Sequence, residues 1–580
     1  MEQKRDSWAS RATFIFAAIG SAVGLGNAWR FPGLAAMHGG GAFLFVYLIA
    51  MFILGWPLLM MEIGIGRKMQ KGAPGALRGL NRKGEFIGWA AVANAFFIVA
   101  YYAVILGWIF VMIAKSFKMG GMTPEQAGNL FFQDVLQYKS ITGNPLTSTL
   151  DVPWQLFVAL LLAWGSIYWC IRKGAHSAGK VVPFTVIIPV VLLLILAING
   201  MAKDKGGAGL KQFFIPDFKA LADSSLWIDA FSQVFYSLSV MMSIMIAYGS
   251  YVNKKSDIIK DTLVISISDM AISMLAGVVL FTTLSATGNL QSYLANPSGG
   301  IGTAFVVYPQ AMVMISSNAA FNSFIALVFY LTLFTLAIDS AFSILEGIAT
   351  AISDKFKTNA RATRRVVCFS AGLVSLVFAS KGGLDWLDIV DHWINVFILI
   401  IVGIMETMLV GWGFKTKKLR DELNRTAGKI KINAAYDWIL KIVAPLILSV
   451  LLVWSTVDTI KSYTNGGGGY GGFPIWAQIA GGWMVFFAVF AIGVTLQILS
   501  YKNKKVIALD KDAKTWDEMH DEEIEELVNS GMDEKQALSR ILADVDNQDV
   551  NVDVDMEGVE MTEADAEAAA IQIDEEPKKD

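Results

Sequence analysis

The sequence predicts an all-α membrane protein of about twelve spanning helices, and three observations carry that prediction. The chain is 54% apolar and only 17% charged, with a mean hydropathy of +0.51. No soluble fold buries that much apolar surface. The apolar residues gather into runs long enough to cross a bilayer, and the basic residues between them favour alternate loops.

In order, the runs lie at about 11–36, 41–66, 86–116, 153–171, 181–200, 227–252, 259–286, 319–352, 364–379, 387–413, 437–460 and 474–500. A spanning helix needs about 20 apolar residues, so the longest runs must tilt or project beyond the lipid. The first run is unusual. Gly20, Gly24, Gly26 and Asn27 crowd its centre, where a plain anchor would carry Leu and Ile. Glycine lowers helix propensity and lets backbone come close to a ligand. Non-helical backbone at membrane depth survives only where protein or a cavity satisfies its polar groups. A break here therefore marks a candidate solute or ion site; the plainer alternative is a glycine-lined contact between helices.

Charges at membrane depth are costly and read as functional. Arg30 ends the first run, Glu62 lies in the second, Asp269 in the seventh, Asp339 in the eighth, and Asp391 and Glu406 in the tenth. Asp269, within Ser266-Ile-Ser-Asp-Met, and Asp339, beside Ser340, set a carboxylate among hydroxyls, which suits a hard cation. A protonated or interhelically bonded Asp is the alternative at each.

Orientation follows from the loops. Residues 67–85 carry Arg67, Lys68, Lys71, Arg78, Arg82 and Lys83; residues 353–365 carry Lys355, Lys357, Arg361, Arg364 and Arg365. Residues 414–431 add seven more basic residues, whereas the opposite loop 287–318 has no Lys or Arg. The positive-inside rule then puts both termini in the cytoplasm, although the lysine-bearing loop 201–224 fits less well. The chain divides into an N-terminal segment (1–10), a transmembrane domain (11–500) and an acidic tail (501–580). Residues 510–580 hold 25 Asp or Glu against 6 Lys or Arg, a net −19, which leaves +16 for the rest. Such a tail is too acidic and too poor in aromatics to pack a large core. A helical pattern at 521–544 fits a small module docking a cytoplasmic partner, and equally a partly helical disordered tail.

Other classes find little support. Cys170 and Cys368 are far apart and in apolar surroundings, which argues against a disulfide or a thiolate metal site. The N-terminus carries Lys4, Arg5 and Asp6 with no small-residue cleavage site. There is no phosphate-cradling Gly-x-x-x-x-Gly-Lys run to suggest ATP drive, and nothing points to an enzyme or to nucleic-acid binding.

At this point a resemblance becomes specific. Lys4-Arg5-Asp6-Ser7-Trp8, the stretch from Gly20 to Pro32, Gly39-Gly-Gly-Ala-Phe43, Gly55-Trp-Pro57 with Glu62, Tyr101-Tyr102, Gln233-Val-Phe-Tyr-Ser-Leu-Ser239 and Asp339-Ser340 occur in an order and spacing that resemble the neurotransmitter:sodium symporter family, in its prokaryotic amino-acid branch. The likeness covers about residues 1–500. It implies a five-plus-five inverted repeat with spans 1 and 6 broken at the site. It implies two sodium sites: one from the Ala22 carbonyl, Asn27, Ser237 and Asp269, the other from the carbonyls of Gly20, Val23 and Leu336 with Asp339 and Ser340. The substrate carboxylate would take the N–H groups of Leu25 and Gly26 and the Tyr102 hydroxyl, with Tyr236 as a lid. The remaining substrate pocket would comprise Ser21, Ala22, Ile98, Ser237, Ser239, Met242, Ser340, Ser343 and Ile344. Arg30 with Asp391 match an outer gate; Arg5 with Asp354, Trp8 and Tyr251 match an inner one.

Two departures matter. The family's sixth span is glycine-rich after Ser-Leu-Ser, whereas this chain reads Val240-Met241-Met242-Ser243, so a break there has no glycine to ease it and Met241 is expected to narrow the pocket. Asp269 stands where chloride-dependent members carry Asn. Tyr47, Gln233, Ser237 and Ser273 still match the family's chloride site, but a fixed carboxylate argues against chloride dependence. Gly24 stands where amine-transporting members carry Asp, which favours a substrate with its own carboxylate. The resemblance thus implies sodium-coupled uptake of a neutral, aliphatic amino acid through a prokaryotic cell membrane. The rivals are a substrate-gated sensor signalling through the tail and a passive channel.

Overall fold

The computed structural model describes residues 7–503 and 514–519, apart from 144, 298 and 465–468. The predicted module at 521–544 and Arg5 lie outside the described residues. In chain order the principal helices are α1 (Arg11–Ala22), α2 (Gly26–Met37), α3 (Gly41–Met69), α4 (Gly84–Met119), α5 (Trp154–Ile171), α6 (Ser177–Lys203), α7 (Ser224–Ser237), α8 (Ile244–Gly249), α9 (Ile258–Ala286), α10 (Ala319–Phe356), α11 (Ala360–Phe378), α12 (Gly383–Phe414), α13 (Thr416–Arg425), α14 (Ala434–Thr464) and α15 (Ile475–Lys502). Among the described residues nine of these are long and apolar enough to cross a membrane, and α1 with α2, bent by 49°, makes a tenth. Two of the twelve predicted runs take another form. Residues 227–252 fall into α7 and α8, each too short alone, and 364–379 lies in α11, which carries Arg361, Arg364 and Arg365 near its start.

Side-chain caps start several helices where the sequence changes from polar to apolar. The Ser10 hydroxyl accepts from the Thr13 N–H at α1, Asp257 from Lys260 at α9, and Asn318 from Ala320 and Phe321 at α10; such caps satisfy N–H groups that have no intrahelical partner. Burial then sorts the helices. In their most apolar stretches α3, α10 and α12 are 67% buried and α4 is 72% buried, against 28% for α14 and 22% for α15. The inner helices pack around the two broken elements, while α5, α6, α14 and α15 turn Trp154, Phe184, Leu446 and Phe487 outward, as lipid contact requires. α4 and α10 pack most extensively against each other, α1 lies against α6, α9 and α10, and α8 lies against α3 and α10.

Candidate substrate and ion sites

The first break is short. α1 ends at Val23 in extended geometry (φ −82°, ψ 96°), and α2 restarts with a wide turn in which the Phe31 N–H reaches the Gly26 carbonyl. Wide turns of this kind recur at functional sites. The freed groups face a small cavity lined by Ser21, Ala22, Leu25, Gly26, Ile98, Tyr102, Tyr236, Ser237, Ser239, Met242, Ser340 and Ile344, together with Gly24 and Asn27. The Leu25 N–H points to the Tyr102 hydroxyl at 3.4 Å. A Cβ on Gly26 would stand 2.8 Å from the Tyr236 ring, so the tyrosine lies directly over that backbone. Of the predicted pocket residues only Ser343 is absent from the lining; it sits behind, its hydroxyl 2.9 Å from that of Ser21. Gly24, read from the sequence as a determinant of substrate class, lines the cavity as well.

The second break is the one the sequence made hardest to see. Between α7 and α8 the chain passes through Ser239 (φ +54°), Met241 (φ +65°) and Ser243 (φ +65°), three left-handed residues with no glycine among them. Left-handed geometry costs roughly 1–2 kcal/mol per L-residue, so something must hold it. The Ser239 hydroxyl donates to the Ser21 carbonyl at 2.9 Å, tying the two breaks together, and the buried Met241 N–H donates to the Glu62 carboxylate. The expectation for Met241 is corrected. Its side chain does not narrow the pocket but packs against Gly403 of α12, where an added Cβ would meet the sulfur at 2.3 Å; Met242 is the one that faces the cavity.

Asp269 is wholly buried on α9 and gathers most of the residues predicted around it. Its Oδ1 accepts from Asn27 at 2.6 Å, and its Oδ2 accepts from Ser237 at 2.9 Å and from Tyr47 at 3.2 Å; Asn27 also donates to Ser273 at 2.8 Å. Gln233 stands apart, donating to the Gly26 carbonyl at 3.1 Å and accepting from Arg30 at 2.9 Å. Three hydroxyls that resemble a chloride cradle thus surround a carboxylate that is part of the protein. Liganding a cation here requires the Asn27 amide to turn its oxygen inward, because its NH₂ now faces the acid.

Asp339 on α10 presents a different picture. It is 1% exposed, and neither carboxylate oxygen meets a hydrogen-bond donor among the described residues. Its Oδ2 lies 2.5 Å from where a Cβ on Gly20 would stand, against the backbone that α1 leaves open. A buried carboxylate beside the backbone of a helix that ends a few residues on supplies oxygen of the kind a hard cation needs. Ser340 is next to it, its hydroxyl 3.4 Å from the Ser21 carbonyl.

The gates are placed unequally. Arg30 and Asp391 form no direct ion pair: the guanidinium lies over the Tyr236 ring at 5.5 Å, and Asp391 accepts from Tyr101 at 2.6 Å and Asn395 at 2.7 Å. The other end is closed. The Trp8 indole donates to the Tyr248 carbonyl at 3.1 Å and packs edge-on against Tyr248 and Tyr251. Tyr251 in turn donates to Glu346 at 3.0 Å, and Glu346 holds Arg364 through two bonds of 2.7 and 2.8 Å. Asp354 accepts from the Gly72 N–H at 2.8 Å. Glu346 and Arg364 were not picked from the sequence, although Glu346 lies inside the eighth run and the rule that singled out Asp339 applies to it equally.

Two interrupted helices that meet at membrane depth, flanked by buried carboxylates, define an ion-coupled membrane transporter. Sequence comparison agrees. The profile of the Sodium:neurotransmitter symporter family matches residues 5–123 and 121–503. An uncharacterized sodium-dependent transporter of Methanocaldococcus jannaschii is 34% identical over 511 residues, covering 85% of this chain and 98% of the relative. The sodium- and chloride-dependent GABA transporter ine of Drosophila melanogaster is 30% identical over 85% of this chain and 55% of its own length. The sodium-dependent neutral amino acid transporter B(0)AT3 of Rattus norvegicus is 27% identical over 77% of this chain and 84% of the relative. The crystal structure of MhsT in complex with L-phenylalanine superposes with a TM-score of 0.65 at 28% identity, over 78% of this chain and all of that one. The chain belongs to the sodium:neurotransmitter symporter family. It is a multi-pass membrane protein that carries out sodium-coupled transport, and it is not an enzyme.

Proposed function

We propose that the protein takes up a neutral, aliphatic amino acid with two sodium ions by alternating access, without a chloride requirement, across a prokaryotic cell membrane. In this reading the fold has twelve spans, the first five and the next five form an inverted repeat, and both termini are cytoplasmic. The observation that carries it is the convergence of the open Leu25–Gly26 backbone and the Tyr102 hydroxyl between Asp269 and Asp339. The N–H groups at the start of α2 are the positive end of its dipole and suit a carboxylate. Asn27, Ser237 and Asp269 would hold one ion beside that carboxylate; Gly20, Val23, Leu336, Asp339 and Ser340 would hold the other. The rest of the lining is mainly Ile98, Tyr236, Met242 and Ile344, with no charge to pair an acidic or basic side chain. The energetics allow it: two sodium ions crossing about 100 mV supply about 4.6 kcal/mol, roughly three decades of accumulation.

Uptake into proteoliposomes tests the coupling. A chain ending near residue 505 should concentrate substrate when sodium is present outside; a sensor or a channel would not. Alanine and leucine should compete with a labelled aliphatic amino acid more strongly than glutamate, lysine or tyramine, and the reverse order would overturn the pocket assignment. Tyr102→Phe removes one hydroxyl from a buried carboxylate, a bond of about 1.5–3 kcal/mol. Affinity should fall roughly ten- to a hundredfold with expression unchanged, and normal affinity would place the carboxylate elsewhere.

A further inference from the structure

The acidic tail contains one Phe, Trp or Tyr between residues 510 and 580, and that residue is buried. Trp516 is 4% exposed and packs edge-on against Phe414, at the end of α12, with ring centroids 5.0 Å apart. The Lys68 ammonium, at the end of α3, lies 5.7 Å from the indole centroid and also pairs with Glu422 of α13 at 3.4 Å. Beside the tryptophan, both carboxylate oxygens of Asp517 accept from the Lys418 ammonium, at 2.6 and 2.8 Å. Thr515 and Glu518 cap the short turn reciprocally, and the Glu518 carboxyl lies below its usual range, held there by these bonds and by the field of Arg82 in the first basic loop. Six residues of a −19 tail thus seat one aromatic anchor and two acids among Lys68, Arg82 and Lys418. That is the make-up of a specific docking contact, a buried aromatic inside a charge-complementary rim.

The surface beneath is linked to the Trp8 face by Gln70, just past the end of α3, whose amide donates to the Val252 carbonyl at 3.0 Å, next to Tyr251. α13, which carries Lys418, also packs Leu423 onto Gly64 of α3, where an added Cβ would meet it at 2.8 Å. Buried Arg67 is bound to the Glu422 carboxylate at 2.9 Å. The contact therefore joins the ends of α3 and α12 through α13 while the Trp8 side is shut. A segment that binds one conformation of a face adds its binding free energy to that conformation alone.

We propose that the surface formed by Lys68, Phe414 and Lys418 is a receptor for this chain's own residues 514–519, and that the docked segment latches the Trp8 face closed. The topology proposed above makes this face cytoplasmic, but the latch itself does not depend on which substrate is carried. A basic partner that drew the remaining acidic tail away would release it.

The full-length protein, with Cys170 and Cys368 replaced by alanine, provides the test. Cysteines at Lys418 and Asp517 should be joined within one chain by a short bis-methanethiosulfonate reagent and freed again by reductant. A third cysteine at Thr350, buried beside Tyr251, reports opening of the face through its alkylation rate by a maleimide. Trp516→Ala should raise that rate several-fold, Lys418→Glu should do the same, and Asp517→Lys in the Lys418→Glu background should restore the slow rate. Cross-linking should slow it below the unmodified protein. If Trp516→Ala fails to fold, the exposed Lys418 and Asp517 reversals still decide. Failure to cross-link, or an alkylation rate indifferent to release and to cross-linking, overturns the proposal; neither result bears on amino-acid uptake by the shortened chain.

Discussion

Asp269→Asn is expected to lower sodium affinity by a hundredfold or more while leaving the fold intact. The side chain keeps its shape, and the Ser237 and Tyr47 hydroxyls can still donate to the amide oxygen once Asn27 turns its own oxygen toward the new NH₂, but the only fixed negative charge in this cluster is gone. Removing one partner from a buried charge pair costs about 3–5 kcal/mol, two or more decades in an equilibrium constant. The same change leaves the hydroxyls of Tyr47, Ser237 and Ser273 around a neutral amide, an arrangement that accepts an anion. Chloride should then stimulate binding in the variant and not in the parent. Sodium titration of substrate binding, with chloride or gluconate as counter-ion, checks both halves. An unchanged sodium half-saturation would remove Asp269 from the ion site.

Legibility in the sequence followed how directly a residue type reports its backbone or its partners. The first break was readable because Gly20, Gly24 and Gly26 stand where helix formers belong, and the structure bends the chain there by 49°. Nothing in Val240-Met241-Met242-Ser243 signals the second break. Its left-handed residues are held by tertiary bonds that Met241 donates to Glu62 and Ser239 donates to Ser21, so only the resemblance pointed to it. The direction of Met241 was misread for the same reason, since a break of unknown geometry does not say which neighbour faces the cavity. Asp269 and Asp339 were legible as charges at membrane depth; Glu346 obeyed the same rule and was passed over. The docked tail was hidden by averaging. A composition dominated by Asp and Glu describes residues 510–580 well as a whole, and says nothing about where their single aromatic residue goes.

Glu62→Ala should weaken substrate binding roughly ten- to a hundredfold although Glu62 does not line the cavity, and Glu62→Gln should stay within about threefold of the parent. The reason lies in what Glu62 accepts. One carboxylate oxygen takes the buried N–H of Met241, in the middle of three left-handed residues, and the other meets no donor among the described residues. Alanine leaves that N–H unsatisfied, at a cost of about 1–3 kcal/mol, and leaves the strained break without its support. The loss falls on the cavity because Met242 and Ser239, which line it, are the neighbours of the released residue. Glutamine keeps a carbonyl oxygen in the same place, so the backbone bond survives while the charge does not. A second substitution separates support from acidity. Glycine adopts left-handed geometry at no steric cost, so Met241→Gly added to Glu62→Ala should recover part of the lost affinity, offset by the space its side chain vacates against Gly403. Substrate affinities of the two single variants and the double variant form a cycle with a coupling of about 1 kcal/mol. If Glu62→Gln proves as damaging as Glu62→Ala, the charge and not the hydrogen bond holds the break, and this account of the second broken helix fails.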